Sequence, residues 1–205
     1  MFGFMICRQM GIVLMIREAR WRKTIYLISF RDFITWMRKR TGKGRRRANM
    51  RYLLVIDMQE DYVGTKRNKK LYPYDTEKLI YTINKRINEY PAESVIYITN
   101  KFLWEFGKEQ KELVKGLKIV SNNFFEKKNK SAFSNDKLLE YLKKMNVKSL
   151  ELIGVDGNYC VGYTALDGIR KGFHIICNES CIGVRDVEKF RNMKLRLSKQ
   201  LVQFI

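Results

Sequence analysis

A cysteine, an aspartate and a cluster of lysines supply the chemistry that can be read from this 205-residue sequence. Cys160 follows an apolar run at 150–155 and the turn residues Gly154, Gly157 and Asn158. From Tyr159 the apolar positions Val161, Ala165, Leu166 and Ile169 recur at helical spacing, and Gly172 stands as a C-terminal stop. Cys160 is therefore expected in the first turn of a helix that leaves the carboxyl end of a strand, where α/β sheets place their chemistry. Unpaired N–H groups and the helix dipole at that place favour a thiolate, predicting a thiol below its ordinary value of about 8.5. A buried, inert cysteine is the alternative. Asp57 ends a second apolar run at 52–56, and Glu126-Lys127-Lys128-Asn129-Lys130 follows a third. A cysteine nucleophile needs a base for its proton and a cation beside the thiolate. Asp57 can be that base, and Lys127 or a neighbour that cation, without a histidine.

The elements that must position these groups alternate. Strands are expected at 52–57, 94–99, 118–125, 150–155 and 173–177. Asp75 caps a helix through Asn88 with Leu79, Ile80, Ile83 and Ile87 on its buried side. A weaker helix is expected over 102–114. Ser134 or Asn135 caps another carrying Leu138, Leu139 and Leu142, and a last one from about Val187 carries Phe190, Met193, Leu197 and Leu201. This pattern predicts an α/β fold over residues 50–205: a single doubly wound, mostly parallel sheet flanked by helices in three α/β/α layers.

A hydrophobic fraction of 45% suffices for one domain with a real core. Four cysteines without a C-x-x-C pair, and no convincing secretory signal, make reduced thiols and a cytoplasmic location the expectation. One histidine, His174, makes a histidine-based zinc site or a Cys/His dyad hard to build. The net charge of +20 would raise nucleic acid as a partner, but residues 1–49 hold thirteen of the bases against only two acids, Glu18 and Asp32. That segment reads as a basic extension outside the fold. An amphipathic membrane or nucleic-acid segment and a targeting leader are competing readings, while Met50 as the natural start is the favoured one. Its apolar run at 11–16 falls far short of the ~20 residues a membrane span requires. The expected partner is a small-molecule substrate, with no nucleic acid and no membrane span, and a homo-oligomer stays open.

Three motifs carry a resemblance. Val-Ile-Asp57-Met-Gln59-Glu-Asp61-Tyr, Lys127-x-x-x-Ser131-Ala-Phe133 and Gly154-Val-x-x-x-Tyr-Cys160-Val-x-x-Thr164-Ala-x-Asp-Gly are similar to those of the isochorismatase-like cysteine hydrolases. That superfamily includes nicotinamidases, N-carbamoylsarcosine amidase and ureidoacrylate amidase. The resemblance implies Asp57 as acid/base, Lys127 rather than Lys128 or Lys130 as the cation, Cys160 as nucleophile, and Gln59 as the polar neighbour of the aspartate. It also implies a cis peptide at Val155–Asp156 and an oxyanion hole from the N–H groups of Asp156 and Cys160, a device worth roughly 2.7–4 kcal/mol per donor.

The departures from that pattern shape the functional expectation. Nicotinamidases carry histidines that hold a metal, whereas after the second strand this chain has Thr99-Asn-Lys-Phe-Leu-Trp-Glu. No metal and no cofactor are expected. Isochorismatases proper cleave a vinyl ether and often lack the cysteine, so Cys160 points towards C–N bond hydrolysis through an acyl-enzyme. A vinyl-ether hydrolase and a non-catalytic binding protein on the same fold are the alternatives. Gln59, Tyr159, Phe102 and Trp104 are candidates for the substrate pocket, although aromatics at helical spacing also serve as core.

Overall fold

The computed structural model describes the strand backbones at 2–7, 12–19 and 22–29, and residues 51–101 and 112–205 in full. Residues 1–48 and 49–205 form two separate compact units. In the first, β1 (Phe2–Cys7), β2 (Ile12–Ala19) and β3 (Arg22–Ser29) pair in sequence as an antiparallel sheet.

The second unit is a parallel sheet with helices on both faces. Among the described residues its strands are β4 (Arg51–Ile56), β5 (Val95–Asn100), β6 (Phe124–Lys127), β7 (Ser149–Val155), β8 (His174–Gly183) and β9 (Gln203–Phe204), in the spatial order β6-β5-β4-β7-β8-β9. Each neighbouring pair is parallel. From β4 the chain first builds one side of the sheet through β5 and β6, then the other through β7, β8 and β9. The reversal lies between β4 and β7, and the crevice at the carboxyl ends there is where open α/β sheets bind ligands.

Side-chain alternation along the strands feeds two cores. On β4, Leu53 and Val55 join one buried cluster, while Tyr52, Leu54 and Ile56 join the other. The first cluster is covered by α1 (Glu60–Val63) and α2 (Thr76–Asn88), which contribute Val63, Leu79, Ile83 and Ile87. The second is covered by α3 (Asp136–Lys144), α4 (Gly162–Arg170) and α5 (Val187–Ser198), through Leu138, Leu142, Ala165, Leu166, Met193 and Leu197. Asp75 and Asn135 cap α2 and α3 through the N–H groups of Lys78 and Lys137. Gly172 closes α4 at φ +84°, a conformation that suits glycine.

Several boundaries differ from expectation for identifiable reasons. The third strand begins at Phe124 rather than 118. Before it, Tyr97, Ser121 and Asn123 make side-chain bonds to backbone groups at Lys118, Val120 and Val95, replacing a ladder with local side-chain bonding. The last helix stops at Ser198, leaving Leu201 exposed at φ +64°, and Val202 takes the buried place before β9. β8 runs well past 177, and β9 is a two-residue strand without an apolar run to reveal it. Of the helix expected over 102–114, residues 102–111 lie outside the described residues. Residues 113 and 114 are not helical: Leu113 bridges Gln59, and the Val114 N–H donates to the Met58 carbonyl at 2.9 Å.

Candidate active site

Three strand ends meet at the sheet reversal. Asp57 is the residue after β4, and at φ +52° it occupies the left-handed region that a short polar side chain tolerates. Its N–H donates to the Ile98 carbonyl at 2.9 Å, anchoring the turn to β5. Lys127 ends β6 and is fully buried. Its Nζ lies 2.9 Å from Asp57 Oδ2, 3.3 Å from Cys160 Sγ and 3.2 Å from the Asn129 carbonyl. Those three contacts match the three donors of an ammonium group.

The residues around the lysine account for its motif. Ser131 Oγ accepts from the Phe133 N–H at 3.2 Å, shaping the turn after β6. The Ala132 N–H donates to Thr164 Oγ1 on α4 at 2.9 Å, tying that turn to the cysteine helix. Lys128, one residue on, is exposed.

Cys160 lies in a π-helical turn, Gly157–Val161, that leads from β7 into α4. The turn is tightly packed: a Cβ on Gly162 would stand 2.8 Å from the Gly157 carbonyl oxygen. The Val155–Asp156 peptide is cis. The thiol differs from the expectation of a ready thiolate. Burial, then the charge of Asp57, push it up to about 12, and Lys127 pulls it down only in part. Desolvation by the surrounding packing outweighs what the helix start offers the thiolate.

Asp57 and Cys160 open onto a cavity of about 240 Å³, with Val155 and Asp156 between them at the end of β7. Tyr62, Tyr72, Tyr74 and Tyr159 form its aromatic walls, and Asn100, Lys130 and Arg185 complete it. Tyr62 and Tyr72 meet edge to face at 5.5 Å. Asp156 ties three segments of the rim together. Its Oδ1 accepts from the Asn158 N–H at 2.8 Å, and Oδ2 accepts from the Arg185 N–H at 2.8 Å and the Tyr74 hydroxyl at 3.2 Å. Burial raises the Asp156 carboxyl although these donors favour its charged form. Burial and then the Asp156 charge drive the Tyr74 hydroxyl far above its ordinary range.

Of the pocket candidates, Tyr159 lines the cavity and Phe102 and Trp104 lie outside the described residues. Gln59 does not line it. Its side-chain amide is turned to the backbone of Asn100, accepting from the N–H at 2.8 Å and donating to the carbonyl at 3.3 Å. Asn100, held in this way and through its own amide to Tyr62, takes the place at the cavity wall. Asn100 and Arg185 stand at or just past the carboxyl ends of β5 and β8, a position that would have nominated them had those ends been known.

The comparisons with known proteins agree with this architecture. The Isochorismatase domain family model matches residues 51–205, and the chain belongs to the isochorismatase family. No curated protein matches the chain. Among solved structures, PnC1 from L. infantum in complex with nicotinate superposes with a TM-score of 0.67 at 19% identity, over 77% of this chain and 93% of that one. N-carbamoylsarcosine amidase from Thermoplasma acidophilum gives 0.61 at 19%, over 75% and 94%. Pyrazinamidase of Pyrococcus horikoshii, in complex with zinc, gives 0.57 at 19%, over 76% and 98%. At such identities the likeness establishes the fold. The residues described here do not fit a zinc site: none form a group of three or more His, Cys, Asp or Glu that could hold a metal. The end of β5 offers Thr99 and Asn100, a hydroxyl and an amide, where zinc prefers thiolate, imidazole and carboxylate.

Proposed function

We propose that this chain hydrolyses a small amide or related C–N substrate through Cys160. The observation that carries the reading is the buried Lys127 ammonium, 2.9 Å from the Asp57 carboxylate and 3.3 Å from the Cys160 sulfur. Because the resting thiol is neutral, Asp57 takes its proton as Sγ attacks the carbonyl carbon, and Lys127 offsets the negative charge that accumulates. The carbonyl oxygen becomes an oxyanion, held by the N–H groups of Asp156 and Cys160. Collapse of this intermediate breaks the C–N bond, and Asp57 returns its proton to the departing amine. Water, deprotonated by Asp57, then cleaves the thioester to give the acid and the free thiol.

A screen of small amides, ureido compounds and isochorismate with the purified protein tests this reading. Amide or ureido turnover is expected, with Cys160→Ala inactive and Asp57→Asn reduced by about 10²–10⁴-fold, the usual worth of a general acid/base. Turnover of isochorismate alone, or an active Cys160→Ala protein, overturns it.

A further inference from the structure

The segment that joins α1 to α2 supplies two walls of the cavity, Tyr72 and Tyr74, from a stretch with little core of its own. Of residues 65–75 only Tyr74 is buried, while Arg67 and Tyr72 are half-buried. A second cavity of about 370 Å³ borders the same segment, lined by Thr65, Arg67, Lys69, Tyr74 and the start of α2. Tyr74 lines both cavities, so its place is not enforced by packing on every side.

Polar bonds supply the shape that packing does not. Asn68 Oδ1 accepts from the N–H groups of Lys70 at 3.1 Å and Leu71 at 3.2 Å, closing a local turn. One side chain closes the larger span. The Arg67 guanidinium donates from Nη1 to the Gly64 carbonyl at 3.2 Å, from Nε to the Tyr72 carbonyl at 3.1 Å and from Nη2 to the Tyr74 carbonyl at 3.2 Å. All three nitrogens of the planar fork are used, and they tie the exit of α1 to the entrance of α2. What the fork holds reaches the end of β7. The Tyr72 ring stands 5.5 Å from that of Tyr62 and 6.0 Å from that of Tyr74, so the three form one wall. The Tyr74 hydroxyl donates to Asp156 Oδ2, and Asp156 is held twice more by the N–H groups of Asn158 and Arg185.

We propose that Arg67, which does not itself line the site cavity, is a positioning residue for substrate binding: by holding the carbonyls of Gly64, Tyr72 and Tyr74 it sets the tyrosine wall against which the substrate is seated. The substrate's part in this rests on the hydrolase reading above, so the wall is tested first without turnover. Arg67→Lys keeps the charge but offers one nitrogen where three are used, and Arg67→Met keeps only the stem. Tyr74 faces Asp156, Tyr72 and Arg185, and burial followed by the Asp156 charge keeps its hydroxyl protonated through the ordinary tyrosine range. Titrating the tyrosines by ultraviolet absorbance should therefore show one more tyrosinate at about pH 10 in each variant than in the wild type, and adding Tyr74→Phe should remove it. With a substrate found in the screen, KM should rise about 10-fold while kcat stays within about threefold, the pattern of lost binding, because Asp156 keeps its two backbone donors. An unchanged tyrosine count in Arg67→Lys, or a fall in kcat with KM unmoved, overturns the positioning role. Loss of cooperative urea unfolding in both variants overturns it too, by making Arg67 a requirement of the fold. Failure of the wild-type protein to hydrolyse any amide would instead overturn the hydrolase reading, and the tyrosine count alone then decides whether Arg67 sets the wall.

Discussion

Lys127 has no exposed surface, so its charge is matched only by what the protein brings to it. Removing it leaves the Asp57 carboxylate buried without its cation and takes from Cys160 the influence that lowers its thiol. Lys127→Ala should therefore reduce turnover by about 10²–10³-fold, the cost of deleting one preorganised charge partner. Lys128→Ala, on the exposed neighbour, should change it little. The thiol itself gives a second measurement. With its value pushed up to about 12, iodoacetamide labelling of Cys160 should keep accelerating beyond pH 10 instead of levelling off where an ordinary thiol does. In Lys127→Ala the rise should shift to still higher pH, and a plateau near pH 8 would show a stabilised thiolate instead. Asp57, Lys127 and Cys160, the residues proposed to react, could be named from the sequence because motif spacing ties each to a strand end. Tyr159 could be nominated from its place beside the cysteine, but Arg185, Asn100, Tyr62, Tyr72 and Tyr74 could not, because their placement depends on which strand ends become neighbours.

At the level of elements, one carboxylate fastens α2 to the middle of the sheet. Glu151 on β7 is fully buried and takes Arg86 of α2 at 2.6 Å through both oxygens, Tyr90 at 2.6 Å and Asn178 at 3.3 Å. Burial alone would raise this carboxyl, but Arg86 and Tyr90 outweigh it and hold the group below its ordinary value. The folded state thus favours the ionised form, so the contribution is present above the unfolded carboxylate value, about 4.3, and is lost as pH falls through the lower folded value. Glu151→Ala should cost about 3 kcal/mol in urea denaturation at pH 7, the low end for a broken buried pair because Arg86 retains 22% exposure. The gap between wild type and variant should stay constant down to about pH 5 and close only in stronger acid. An unchanged midpoint at pH 7 would contradict this. Glu151 also shows why sequence reading falters here: it interrupts the apolar run of β7, and nothing local names the arginine 65 residues earlier that makes it tolerable. Strand and helix order, by contrast, was legible from periodicity, whereas the start of β6 was hidden by polar side chains that imitate a ladder.

For the whole molecule, we propose that residues 49–205 suffice for activity. They form a compact unit, and both cores and every residue given a catalytic role lie within it. A fragment of 49–205 should unfold cooperatively and keep kcat/KM within about twofold of the full chain, as expected of a domain with its own core. A tenfold loss would assign residues 1–48 a part in catalysis. The order of strands in the sheet has a further consequence, for biosynthesis. The groups proposed to react stand at 57, 127 and 160, and Arg185 follows a strand that, among the described residues, pairs with β7 and β9. Parallel pairing joins segments distant in the chain, so these groups cannot converge while later strands are still being made. On the proposed roles, the nascent polypeptide stays chemically silent on the ribosome, and hydrolysis begins only once most of the chain has emerged.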